Sequence, residues 1–101
     1  MEFKDLEIFQ VVAKTGTITA AAEELKYVQS NITARIQKLE KELNTHLFNR
    51  HPRGMKLTPE GKKLLMYSEK ILTLTNEMKK VIQSKNEPAG KLEIGTVETV
   101  I

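Results

Sequence analysis

The residues that could do chemistry in this sequence are a set of short polar side chains and the cations around them. Gln29, Ser30, Thr33, Ala34 and Gln37 stand in one short stretch, with Arg35, Lys38 and Lys41 among and after them. A glutamine amide matches the N6/N7 edge of adenine, serine and threonine hydroxyls meet several bases, and Ala34 or the Thr33 methyl can touch a thymine methyl. Cations beside such a face neutralise phosphate and fix register without reading sequence. Lys38 suits that role, although Lys38 and Lys41 also fit an ordinary solvated helix face. Arg35 lies nearer the apolar side, and both a phosphate and a neighbouring acid are open to it. Arg50 and Arg53 follow, and Arg53 next to Gly54 in a turn is placed to enter a minor groove or lie on its backbone. The chemistry these residues fit is recognition of double-stranded DNA.

Composition removes the competing classes. The chain has 101 residues, a formal net charge of +3 and no cysteine, which rules out disulfides and thiolate metal sites. His46 and His51 lack metal-ligand spacing, so a zinc site would need scattered carboxylates and none is expected. No acid, histidine and nucleophile are spaced for a triad, and no glycine-rich phosphate loop occurs, so no enzyme is expected. No stretch is apolar enough to span a membrane and no signal peptide opens the chain, which gives a cytoplasmic expectation.

The positioning elements are mainly helical. Phe3, Leu6, Phe9, Val12 and Ala13 recur at helical spacing over 3–14, and Gly16 is a left-handed stop. Thr17 is an N-cap for a helix over Ile18 to Leu25, where Ala20, Ala21 and Ala22 either let another helix approach closely or serve simply as good helix formers. A break at 26–28 precedes a third helix from about Gln29 to Leu43, with Ile32, Ile36, Leu39 and Leu43 as its apolar stripe and Asn44 as its stop. Its opposite face carries the short polar side chains. Leu47-Phe48 and Met55-Lys56-Leu57 flank His51-Pro52-Arg53-Gly54, a turn between two extended pieces. The expected fold is mainly α, a winged helix-turn-helix of three helices and a two-stranded wing over 49–56.

Thr58-Pro59-Glu60 then starts a long helix that can run to about Ser84. Leu64, Tyr67, Ile71, Leu74, Met78 and Val81 step by threes and fours, a heptad seam that wants a partner helix. The expected units are a DNA-binding domain over 1–58, a dimerising linker helix over 59–86, and a hinge over 87–101. Lys91 to Gly95 alternate as a strand, expected to be the first of a further domain.

In these motifs the sequence resembles the LysR-type transcriptional regulators. The likeness runs through Leu6-Glu7-Ile8-Phe9, Gly16 to Leu25, Gln29, Ile32-Thr33, Ile36, Leu39-Glu40, Leu43, Leu47-Phe48, Arg50, Arg53 and Leu57-Thr58-Pro59-Glu60-Gly61, and again at Gly90 to Gly95. It implies a homodimer through an antiparallel linker helix, with a tetramer open to the full-length protein, and a small-molecule effector bound by a domain absent here. No cofactor is expected in this fragment, and RNA polymerase is a further partner the likeness allows. It also implies that Gln29, Ser30, Thr33 and Ala34 face the major groove and Arg53 the minor groove. Val28 stands where serine is usual, so the customary N-cap of the recognition helix is missing. Ser30 replaces a frequent proline and Ala34 a frequent arginine, which points to a distinct operator preference. The alternative is a helical protein-interaction module, but its docking face should show large apolar groups, and residues 29–38 show Ser, Thr, Ala and Gln.

Overall fold

A computed structural model describes residues 1–84; the hinge and strand expected over 87–101, with the end of the linker helix, lie outside the described residues. Helix α1 spans Phe3–Thr15, α2 Ile18–Leu25 and α3 Gln29–Leu43; strands β1 (Phe48–His51) and β2 (Gly54–Leu57) form an antiparallel hairpin, and α4 spans Pro59–Gln83. This is the winged helix-turn-helix with a long C-terminal helix that the periodicity predicts.

Local signals set the boundaries. Gly16 closes α1 at φ 84° and donates its N–H to the Val12 carbonyl. The Thr17 hydroxyl accepts the Ala20 N–H at 3.0 Å, and Thr58 accepts the Gly61 N–H at 2.9 Å, each satisfying a free donor of a first helical turn. Asn44 ends α3 at φ 53°, and Lys26 ends α2 at φ 60°, a left-handed lysine that the sequence does not signal. Val28 begins α3 with no side-chain cap.

The core gathers Ile8, Phe9, Val12, Ala21, Ala22, Ile32, Ile36, Leu39, Leu47 and Phe48. Phe9 and Phe48 meet at 5.3 Å between ring centroids, so the first helix packs directly on the root of the wing. Ala21 and Ala22 are buried between α1 and α3, where larger side chains would hold the helices apart. Two expectations need correction. Phe3 is 56 % exposed, and the α1 stripe is completed by Ile8 and by the Asp5 carboxylate. Leu43 is 38 % exposed because α3 reaches past the edge of the small core, which ends at Leu39.

Three contacts hold the wing. The Met55 N–H donates to the Gly16 carbonyl at 2.8 Å, bringing β2 against the α1–α2 turn. A Cβ on Gly54, at φ 149°, would stand 2.5 Å from that same carbonyl, so only glycine fits there. The Leu47 and Phe48 N–H groups donate to Glu40 Oε2 at 2.8 and 3.4 Å, which ties the third helix to β1. The start of α4 packs equally close, since a Cβ on Gly61 would stand 2.2 Å from the Leu47 carbonyl. Further along, buried Ser68 accepts from Gln10 Nε2 at 3.1 Å and joins α4 to α1.

Candidate nucleic-acid interface

One side of α3 is buried through Ile32, Ile36 and Leu39, which turns its other side outward. Gln29, Ser30, Ala34, Gln37 and Lys38 are exposed there, and Thr33 is half-buried. The first turn of α3 is therefore lined with short side chains, so its backbone is open to close approach by a ligand. A helix with side chains is about 10 Å across and the B-DNA major groove about 12 Å wide. No large apolar side chain of α3 itself breaks this face, though Val28, just before it, is 68 % exposed. In the sequence Val28 signals only a lost cap; in the structure it also presents an exposed methyl pair at the leading end of the helix.

The wing supplies the cations. Arg50 lies on β1 opposite Met55, and Arg53 lies in the two-residue turn between the strands; both are exposed. Arg50 and Gln37 border one groove, with His46 and Asn49, between α3 and the hairpin. Arg53 lies beside Thr15, Gly16 and Thr17, at the turn that leads into α2.

Arg35 and Lys38 have partners inside the protein. Arg35 Nη1 donates to Asp5 Oδ1 at 2.8 Å and to a Glu2 oxygen at 3.4 Å, and Lys38 Nζ reaches Asp5 Oδ2 at 3.3 Å. The Glu2 N–H donates to Asp5 Oδ2 at 3.0 Å. Burial pushes the Asp5 carboxyl up, but the Arg35 guanidinium, the Glu2 N–H and Lys38 together outweigh it and hold the group below the ordinary carboxylate range. Arg35 thus meets one of the two partners open to it in the sequence, the acid. Asp5 itself was missed: its place in the first turn of α1 marks it as an ordinary helix-start acid, and nothing local announces contacts thirty residues away. Tyr27 is half-buried against the core.

Along α4 the seam residues Tyr67, Ile71, Leu74, Met78 and Val81 are exposed, at 56, 38, 64, 56 and 60 %. Leu64 differs, being half-buried against the domain's own core. Met66 and Ile82 widen the exposed apolar surface. Among the described residues, no three His, Cys, Asp or Glu side chains gather into a metal-holding group, and no helix is long and apolar enough to cross a membrane.

Residues 3–62 match the family model described as the bacterial regulatory helix-turn-helix protein, lysR family. The chain belongs to the LysR family. Within it, this LysR-family chain is 59 % identical over 100 residues to the HTH-type transcriptional regulator SoxR of Arthrobacter sp. (strain TE1826), covering 99 % of this chain and 35 % of that one. The chain thus spans about a third of the length of the curated relatives it matches. Among solved structures, the CbnR DNA-binding domain in complex with DNA superposes with a TM-score of 0.82 at 34 % identity, covering 86 % of this chain and 100 % of that one. The BenM DNA-binding domain in complex with benA site 1 DNA does so with a TM-score of 0.82 at 32 % identity, covering 86 % and 98 %.

Proposed function

We propose that this LysR-family chain is the DNA-binding and dimerising part of a cytoplasmic transcription regulator, reading an interrupted palindrome with one α3 in each half-site. The observation that carries the reading is the outer face of α3, exposed, short-chained and polar from Gln29 to Gln37, with the exposed Arg50 and Arg53 of the wing beside it. The solved complexes of CbnR and BenM DNA-binding domains with DNA, which share the fold at 34 and 32 % identity, support it. Gln29, Ser30, Thr33 and Ala34 are the base readers, Gln37 flanks them, and Arg50 and Arg53 contact phosphate and the minor groove.

The apolar seam Tyr67, Ile71, Leu74, Met78 and Val81 pairs α4 with a second copy, Leu64 contributing from the end already packed in the domain. Such pairing sets two recognition helices about 34 Å apart or at a multiple of that spacing, the distance between successive major grooves. Residues 1–58 then form the reading domain and 59–86 the linker helix. The 87–101 segment leads to a domain that binds a small-molecule effector in the whole protein.

Gln29→Ala tests the reading directly. Selection from a pool of random duplexes followed by sequencing should show relaxed base preference at one position per half-site, with other positions unchanged. If parent and variant enrich the same sequences, the assignment of α3 as the reading element is wrong.

A further inference from the structure

Asp5 is the one carboxylate whose side chain is wholly buried among the ion pairs of the described residues, and it lies against the middle of the recognition helix. Its oxygens are divided between the two elements. Oδ1 holds Arg35 at 2.8 Å, while Oδ2 takes the Glu2 N–H and Lys38. Both cations are partly exposed, with side chains 31 and 46 % accessible, on the helix flank nearest α1. Together with Glu2, 3.4 Å from Arg35, the cluster sets two cations against two carboxylates and carries no net charge.

A free arginine and a free lysine at this flank would add sequence-independent attraction to any duplex docked on α3, because each neutralised phosphate releases condensed counterions. We propose that Asp5 sets the salt dependence of the interface, holding Arg35 from inside the domain so that it orients α3 instead of binding phosphate. Arg35 is thus a positioning residue, and the affinity left to the helix comes in larger part from base contacts. The inference rests on the DNA-reading function proposed above. A phosphate contact is sequence-independent, so withholding this cation lowers the affinity for any duplex by about the same factor and lessens its salt dependence.

The test is the salt dependence of binding by this chain at neutral pH. The probes are a mixed-sequence duplex and the duplex that the parent chain itself enriches. Arg35→Gln keeps a donor for Asp5 and should leave the slope of log affinity against log salt unchanged. Asp5→Asn should steepen that slope by about 0.9 for each cation released. It should also tighten binding to both duplexes severalfold at low salt, leaving the ratio between them nearly unchanged. Combining the two substitutions should remove the part of the steepening that Arg35 contributes. Circular dichroism at the binding temperature confirms that each variant is folded, and if Asp5→Asn is not, the Arg35→Gln slope decides alone. A slope that falls by about 0.9 in Arg35→Gln would mean that Arg35 already binds phosphate, and would overturn the inference while leaving DNA binding intact. An unchanged slope in folded Asp5→Asn would overturn it equally. A parent chain that bound neither duplex at any salt would overturn the DNA-binding reading, and this inference with it.

Discussion

Replacing Glu40 by alanine should detach the wing from the recognition helix. Glu40 Oε2 accepts the Leu47 N–H at 2.8 Å and, more weakly, the Phe48 N–H at 3.4 Å. Leu47 is 1 % exposed and Phe48 6 %, so their N–H groups are poorly placed for water once this acceptor is lost. A hydrogen bond to a charged group contributes about 1.5–3 kcal/mol, and a buried donor left unpaired costs a similar amount. With one short bond and one long one, the loss should be about 3 kcal/mol; the better helix propensity of alanine offsets only a few tenths of that. For a domain of this size each kcal/mol lowers the melting temperature by roughly 4–8 °C, so the drop should be roughly 12–24 °C. The assay is thermal unfolding followed by far-UV circular dichroism at one fixed protein concentration, because a dimer melts at a concentration-dependent temperature. Glu40→Gln retains a neutral acceptor and should recover about half of the loss. Lys41→Ala, on the exposed neighbouring position, should stay within about 0.5 kcal/mol of the parent. An alanine variant at position 40 that melts with the parent would refute the claim that this carboxylate fastens the wing.

Four further outcomes follow from the same contacts. Val28→Ser restores an N-cap where the backbone is already extended and the valine is 68 % exposed, so it should raise stability by about 1 kcal/mol in denaturant unfolding; no gain would mean that the first turn of α3 is capped in another way. Asp5 has a folded pKa below its unfolded value of about 3.9, so its contribution is complete above about pH 5 and is lost as pH falls through the folded value; Asp5→Asn should flatten that part of the stability profile, and parallel acid profiles would contradict the buried ion pair. Leu74→Glu or Met78→Glu places charge in the exposed α4 seam and should weaken self-association at least tenfold, ~1.4 kcal/mol, in sedimentation equilibrium; unchanged association would exclude the seam. Gly54→Ala should cost about 1–3 kcal/mol and weaken DNA binding, since its Cβ would displace the Gly16 carbonyl that receives the Met55 N–H; a variant with parental stability and affinity would show that the wing does not need this contact.

What the sequence made legible is what short-range physics decides. Gly16, Thr17, Asn44 and Thr58 mark helix ends through their own backbone preferences and side-chain oxygens, and each capping bond closes within four residues. The 3-4 spacing of Ile32, Ile36 and Leu39 likewise fixes which side of α3 faces outward, and with it the polar recognition face. Periodicity alone does not tell where a small core ends, so Phe3 and Leu43 follow the apolar pattern yet stand exposed. Leu64 shows the reverse, counted in the seam by its spacing but shared with the domain below it. The contacts that set the interface are long-range. Arg35 meets Asp5 across 30 residues, Ser68 meets Gln10 across 58, and Glu40 reaches β1 only after the chain has turned back. A carboxylate gives no sign in the sequence of which distant donor it will meet, so the roles of Asp5 and Glu40 emerge only with the fold. The left-handed backbone at Lys26 is hidden for a related reason: its conformation is imposed by the packing of α2 against α3, against lysine's own preference.

The most direct measurement of the central claim is fluorescence anisotropy of this chain on a pool of short duplexes at several salt concentrations, with sequencing of the bound fraction. An enriched interrupted palindrome is expected, with half-sites about one helical turn or a multiple apart, and a log–log salt slope of several units from the phosphate contacts of two protomers. A shallow slope with no enriched sequence would contradict it.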